Sequence, residues 1–279
     1  MKGRRLLSAL IYVLTSMVGL FAFIYPLFGS TLAEAAETTP GLPTHSPLLT
    51  TFVVGACFVI LLLEVQGNAM DTKFVALLGV LVALNAGLRF VETAIPGPGG
   101  FSPIFFLILT TGYVFGIRFG FLMGALTLLV SALITGGIGP WLPYQMFVAG
   151  WVGLSAALLR WPVRWLKWEH KRIEIGLLTV LGGVWGLLFG ALMNLSFWAF
   201  TAPVESQTDA GNALLKAIQH YIAFYVTSSL VWDMARAFGN IILLLLFAAP
   251  TLRTLRRFQR RFAFTYQPTS PVERGLESL

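Results

Sequence analysis

Long apolar runs alternate with short polar links along the whole chain. Eight runs have the length of membrane segments, at about 6–28, 48–64, 73–94, 102–117, 119–136, 144–160, 175–200 and 222–250. A helix rises ~1.5 Å per residue and the bilayer hydrocarbon core is ~30 Å thick, so ~20 apolar residues suffice to cross. A backbone in lipid must satisfy its own hydrogen bonds, so each run predicts a helix. The fold class expected is an all-α integral membrane protein. The links are short and carry no soluble domain. Residues 29–47 hold Glu34 and Glu37 but neither Lys nor Arg, and residues 95–100 read as a Pro-Gly turn. Residues 201–211 are polar and acidic, and 212–221 predict a short helix leading into the last run.

The densest irregularity falls in residues 112–145. Two apolar runs meet at a Gly116-Ile-Arg-Phe-Gly120 corner, and the second breaks at Thr135-Gly-Gly-Ile-Gly-Pro-Trp-Leu-Pro-Tyr-Gln145. Glycine and proline at this density interrupt regular helix and predict a shaped loop at one end of an apolar hairpin.

Composition sharpens the membrane reading. Only 11% of the 279 residues are charged and 57% are hydrophobic, against roughly 25% charged in a soluble domain. The net charge of +7 does not point to nucleic acid, because the basic residues sit in clusters between apolar runs, where they set topology. Arg160, Arg164, Lys167, Lys171 and Arg172 form the strongest cluster. With eight crossings, the basic N-terminus, Arg118, this cluster and the basic tail fall on one side, which the positive-inside rule makes cytoplasmic. Trp161, Trp165 and Trp168 read as an interfacial anchor. The single cysteine, Cys57, excludes an intrachain disulfide. Residues 1–28 have the layout of a signal peptide, with Ala33-Glu-Ala-Ala36 following. The apolar part exceeds a usual signal core, which favours a retained helix.

Charge within the bilayer is costly, so ionisable residues inside the runs mark candidate function. They are Arg89 and Glu92 in the third run and Asp233 and Arg236 in the eighth. Counting along each helix places Arg89 ~24 Å, Asp233 ~25 Å and Arg236 ~21 Å above the cytoplasmic side, in the outer part of the membrane. Ser229, Asp233, Arg236 and Asn240 share one helical face. Gln145, Asn194, Trp141, Tyr144, Trp198, Tyr221 and Tyr225 fall at similar depth. Together they predict an outward pocket for an external solute. An Arg89–Asp233 ion pair that only holds helices together is the structural alternative, and it is compatible with a lining role. In the third run Gly79, Ala83 and Gly87 recur every four residues, a stripe suited to close helix approach, whether within the protein or to a partner. No P-loop, H-E-x-x-H or G-x-S-x-G motif occurs, so the chain supplies neither a P-loop ATPase nor these hydrolase centres.

From about 73 to 258 the chain resembles the substrate-binding S component of energy-coupling factor (ECF) transporters. The resemblance is carried by Ala83-Leu-Asn-Ala-Gly-Leu-Arg89, Gly112-Tyr-Val-Phe-Gly-Ile-Arg-Phe-Gly-Phe-Leu-Met-Gly-Ala125, Ser131-Ala-Leu-Ile-Thr-Gly-Gly-Ile-Gly-Pro-Trp-Leu-Pro-Tyr-Gln-Met146 and Asp233-Met-Ala-Arg-Ala-Phe-Gly-Asn240. It implies a six-helix core over 73–258, preceded by two extra transmembrane helices in 1–72 and followed by a cytoplasmic tail, 259–279. It also implies a vitamin or related micronutrient bound near the outer face of a plasma-membrane protein. Arg89, Glu92, Trp141, Tyr144, Gln145, Asn194, Trp198, Tyr225, Asp233, Arg236 and Asn240 would line or brace that site, with the 136–144 break as a lid. Gly79, Ala83 and Gly87 match the stripe that docks on a transmembrane coupling protein. Two cytoplasmic ATPase subunits would use the ATP, and this chain would bind no cofactor or metal and act as no enzyme. The two extra helices depart from the six-helix pattern. An intramembrane enzyme on a lipid-like substrate and an ATPase-independent secondary transporter are the alternatives. The first would need a metal or acid–base cluster, and the second usually shows an internal repeat.

Overall fold

A computed structural model describes residues 72–94, 101–169, 172–201 and 213–262, together with scattered positions of the first two runs, among them Leu14, Met17, Gly19, Leu20 and Phe23. The described core is helical: α1 Thr72–Ala94, α2 Ile104–Phe115, α3 Ile117–Thr135, α4 Leu142–Trp165, α5 Arg172–Thr201, α6 Ala213–Ser228 and α7 Leu230–Phe262. Among the described residues, five helices are long and apolar enough to cross a membrane: α1, α3, α4, α5 and α7.

The twelve residues of α2 span only ~18 Å, yet this helix is the axis of the bundle. It touches α1, α3, α4, α5 and α7, which pack around it in that order. Nine of its residues, Ile104 and Tyr113 among them, are buried. Asn85 of α1, fully buried, fastens this arrangement by donating to the Ile104 carbonyl and to Thr127 Oγ1 of α3, each at 3.2 Å.

Glycine decides the geometry of residues 112–145, though not as a run of turns. Within the expected 116–120 corner only Gly116 breaks the helix, with φ 98°, a conformation that side chains resist. Helix resumes at Ile117. Gly112, Gly120 and Gly124 are helical and serve contact instead. A Cβ on Gly112 or Gly120 would collide with the Gly153 carbonyl, and one on Gly124 with that of Ala149. Three backbones thus meet where α2, α3 and α4 cross, as small residues permit in membranes. The expected Gly116–Gly120 corner is therefore a one-residue hinge beside a packing seam. At the far end of α3, Gly136 is left-handed, φ 69°, and Gly137 N–H donates to Ala132 O at 3.0 Å, the six-to-one bond of a Schellman-type helix stop. Pro143 occupies the first turn of α4, where proline fits without loss. The irregular loop is confined to residues 136–141, because Tyr144 is already helical.

The last run also differs from expectation. It splits at Ser229 into α6 and α7, and α7 continues through Pro250 to Phe262. The first run meets the core: Phe23 is fully buried and packs edge-on against Tyr144 at 5.0 Å and beside Trp151 at 5.8 Å. Gly19 faces the Phe147 ring, while Leu14, Met17 and Leu20 are exposed.

Candidate functional site

The two ends of the bundle differ in chemistry. At one, hereafter the basic end, α4, α5 and α7 bring Arg160, Glu174 and Arg256 around the last turn of α2. The other end carries the 136–141 loop and the four charges of α1 and α7.

At that second end, Arg89 and Glu92 lie on one turn of α1, with their nearest charged atoms 3.8 Å apart. Ser102, just before α2, donates its hydroxyl to Glu92 Oε2 at 2.7 Å. Across from them Arg236 pairs with Asp233 within α7, lies over the Phe189 ring with its centre 5.7 Å from the ring centroid, and approaches the Gly186 carbonyl at 3.4 Å. Arg236 is within electrostatic reach of both Arg89 and Glu92. Phe101 fits against Gly239 of α7, so Phe101 and Ser102 bridge the two charged helices. The charges therefore pair differently from the Arg89–Asp233 alternative. Neighbours at i,i+3 share a turn, and Asp233 faces α5 rather than α1.

That orientation follows from glycine on α5. Gly182, Gly186 and Gly190 are four residues apart, and a Cβ on them would strike Leu244, Ala237 and the Asp233 carboxylate respectively. The face of α7 that carries Asp233 and Asn240 therefore seats directly on α5. Asn240 Nδ2 donates to the Gly182 carbonyl at 3.0 Å. Asp233 is 2% exposed and Asn240 fully buried. Among the described residues their remaining oxygens, Oδ2 and Oδ1, are sealed without a partner in hydrogen-bond geometry, as is Nδ2 of Asn194. Tyr225 of α6 lies beside Asp233 and stacks on Tyr221, whose hydroxyl donates to the Ala191 carbonyl.

The structure thus brings Arg89, Glu92, Arg236, Asp233 and Tyr225 together. Asn240 lies two turns along α7, ~10 Å from Asp233, within the α5–α7 seam. Trp141 is 47% exposed on the loop, its ring folded over Gly139. Tyr144 is buried against Phe23, and Gln145 is half-buried one turn after Trp141. The Trp198 side chain lies outside the described residues.

A family model for the substrate-specific component of ECF transporters matches residues 73–248, from the first turn of α1 through most of α7. The chain belongs to this family. Comparison with curated proteins and with solved structures gave no match. The matched region covers the bundle around α2, with the charged end and the loop, and residues 1–72 lie before the match.

Two further features of this ECF component bear on function. Gly79, Ala83 and Gly87 are all exposed on α1, and a Cβ at either glycine would meet nothing within 4 Å. The stripe is therefore bare, which removes internal packing as its role within the described core. Of the second feature the sequence singled out only Arg160, as part of a topology-setting cluster. At the basic end Glu174 is 2% exposed. It accepts a hydrogen bond from Tyr113 Oη at 2.6 Å and an ion pair from Arg256. Arg160 and Gln259 both donate to the Val114 carbonyl, at 2.8 and 2.9 Å. Four helix ends are knotted there.

Proposed function

We propose that this component captures a vitamin or related micronutrient at the outer face of the plasma membrane, and that other chains drive its delivery inward. Those partners are a transmembrane coupling protein and two cytoplasmic ATPase subunits, which use the ATP. The observation that carries this reading is the bare small-residue stripe on α1. A groove of Gly79, Ala83 and Gly87 open to the surroundings suits close approach by another membrane helix. The positive-inside rule puts the basic end, and with it both termini, in the cytoplasm, and the four-charge end then faces outward. Loop 136–141 joins α3 to α4 at that end and serves as its lid.

Vesicles reconstituted with this chain, the coupling protein and the ATPases test the reading. Accumulation of a labelled vitamin should require all the chains and ATP. Ala83→Leu with Gly87→Leu should abolish accumulation and co-purification with the coupling protein while leaving the melting temperature of the isolated chain unchanged. Accumulation by this chain alone, driven by an ion gradient, would overturn the proposal in favour of secondary transport.

A further inference from the structure

Arg89 is the charged group of the outer cluster whose hydrogen-bonding capacity stays open. A guanidinium presents five N–H donors in a planar fork. Its side chain is only 28% exposed, yet its nearest carboxylate oxygen, Glu92 Oε1, is 3.8 Å away, too far for a hydrogen bond. Arg89 donates no side-chain hydrogen bond to any described residue. The other charges are engaged. Glu92 is held by the Ser102 hydroxyl, and Asp233 and Arg236 hold each other. Arg236 also lies on Phe189, and the free oxygen of Asp233 is closed in against Gly190. What the cluster leaves unfilled is therefore a cationic, planar donor set. It stands on α1, at the end of the bundle that also holds Asp233 and Arg236.

Resting on the importer reading, the geometry points to a substrate that bears an anionic oxygen group, a carboxylate or phosphate, seated on Arg89. The guanidinium fork matches such groups with two parallel hydrogen bonds. Arg236, within electrostatic reach of Arg89 and Glu92, supplies a second positive charge nearby. Glu92 has the opposite effect, because a carboxylate beside Arg89 competes with the incoming anion. Neutralising Glu92 therefore strengthens anion binding, and removing the Arg89 charge weakens it. A cationic substrate would reverse both signs.

The test is thermal unfolding of the full chain in nanodiscs against matched pairs: nicotinate with nicotinamide, pantothenate with panthenol, biotin with biotin amide, and pyridoxal phosphate with pyridoxal. Anionic lipid headgroups carry the same oxygen chemistry, so the series is run in phosphatidylcholine and again in phosphatidylglycerol. The expected result is that an acid stabilises the protein in phosphatidylcholine and its neutral partner does not. Arg89→Ala weakens that acid by about tenfold or more, and Glu92→Gln strengthens it. A neutral member that stabilises as well as its acid overturns the anionic class while the importer reading stands. An Arg89-dependent effect seen only with phosphatidylglycerol assigns the residue to lipid and overturns the proposal. A panel without any stabilising acid also overturns it, and the vesicle assay then judges the importer reading separately. Should Arg89→Ala not fold, Glu92→Gln decides by sign: weaker acid binding overturns the proposal.

Discussion

Glu174 shows how one side chain can hold a membrane bundle together. Its carboxylate is almost fully enclosed and receives both the Tyr113 hydroxyl and the Arg256 guanidinium. Removing one member of a buried ion pair strands the other, at a cost of about 3–5 kcal/mol. Arg256→Ala should therefore destabilise strongly in chemical unfolding from micelles. Glu174→Gln combined with Arg256→Met should cost less than Arg256→Ala alone, because no unpaired charge is left buried. Tyr113→Phe should lose about 1–3 kcal/mol, since the carboxylate keeps its cation but loses a donor. None of this was legible in the chain. Glu174 and Arg256 stand 82 residues apart, each among basic neighbours at a helix end, where a charge ordinarily meets water. Arg89, Glu92, Asp233 and Arg236 were legible because a charge inside an apolar run has no such ordinary explanation. Their pairing was not, because depth along a helix does not fix the direction in which a side chain faces.

Between elements, backbone contact governs what can be changed. Gly153 of α4 meets Gly120 of α3 through main-chain atoms on both sides, and a backbone cannot move aside as a flexible side chain can. Gly153→Ala should cost about 1–3 kcal/mol in unfolding measurements, whereas Gly79→Ala, facing open space, should be nearly silent in the isolated chain. The positions of α1, α3, α4 and α5 followed from apolar run length. The helix breaks did not, because a glycine needed for close contact and a glycine needed for a turn look alike in a sequence. Gly116 and Gly120 illustrate this: one bends the chain and its neighbour one turn on touches another helix. The α5 series Gly182, Gly186 and Gly190 obeys the same spacing as the α1 stripe and could have been found by that rule. The first run has a measurable role as well. Phe23 and Gly19 cover Tyr144, Phe147 and Trp151 of α4, so cleavage there would bare an aromatic face. Phe23→Ala should lose at least about 1 kcal/mol in unfolding measurements, from the aromatic contacts alone.

At the scale of the whole molecule, the bundle has an asymmetric interior. Its axis, α2, is short and finishes at the basic end, where the Glu174 knot gathers α4, α5 and α7 around it. The opposite end holds the loop, the four charges and the break at Ser229. Cysteine labelling can check the orientation. An Ile138→Cys variant should react with an impermeant maleimide applied outside intact cells, and an Arg253→Cys variant only after the cells are opened. The reverse pattern would overturn the topology. The knot should also make the protein an electrical insulator. A membrane chain must not short-circuit the potential across it, and hydrogen-bonded side chains packed around the buried end of α2 would close a water file there. Planar bilayers carrying the isolated protein should conduct no better than bare lipid, whereas Tyr113→Ala with Arg256→Ala should raise the leak.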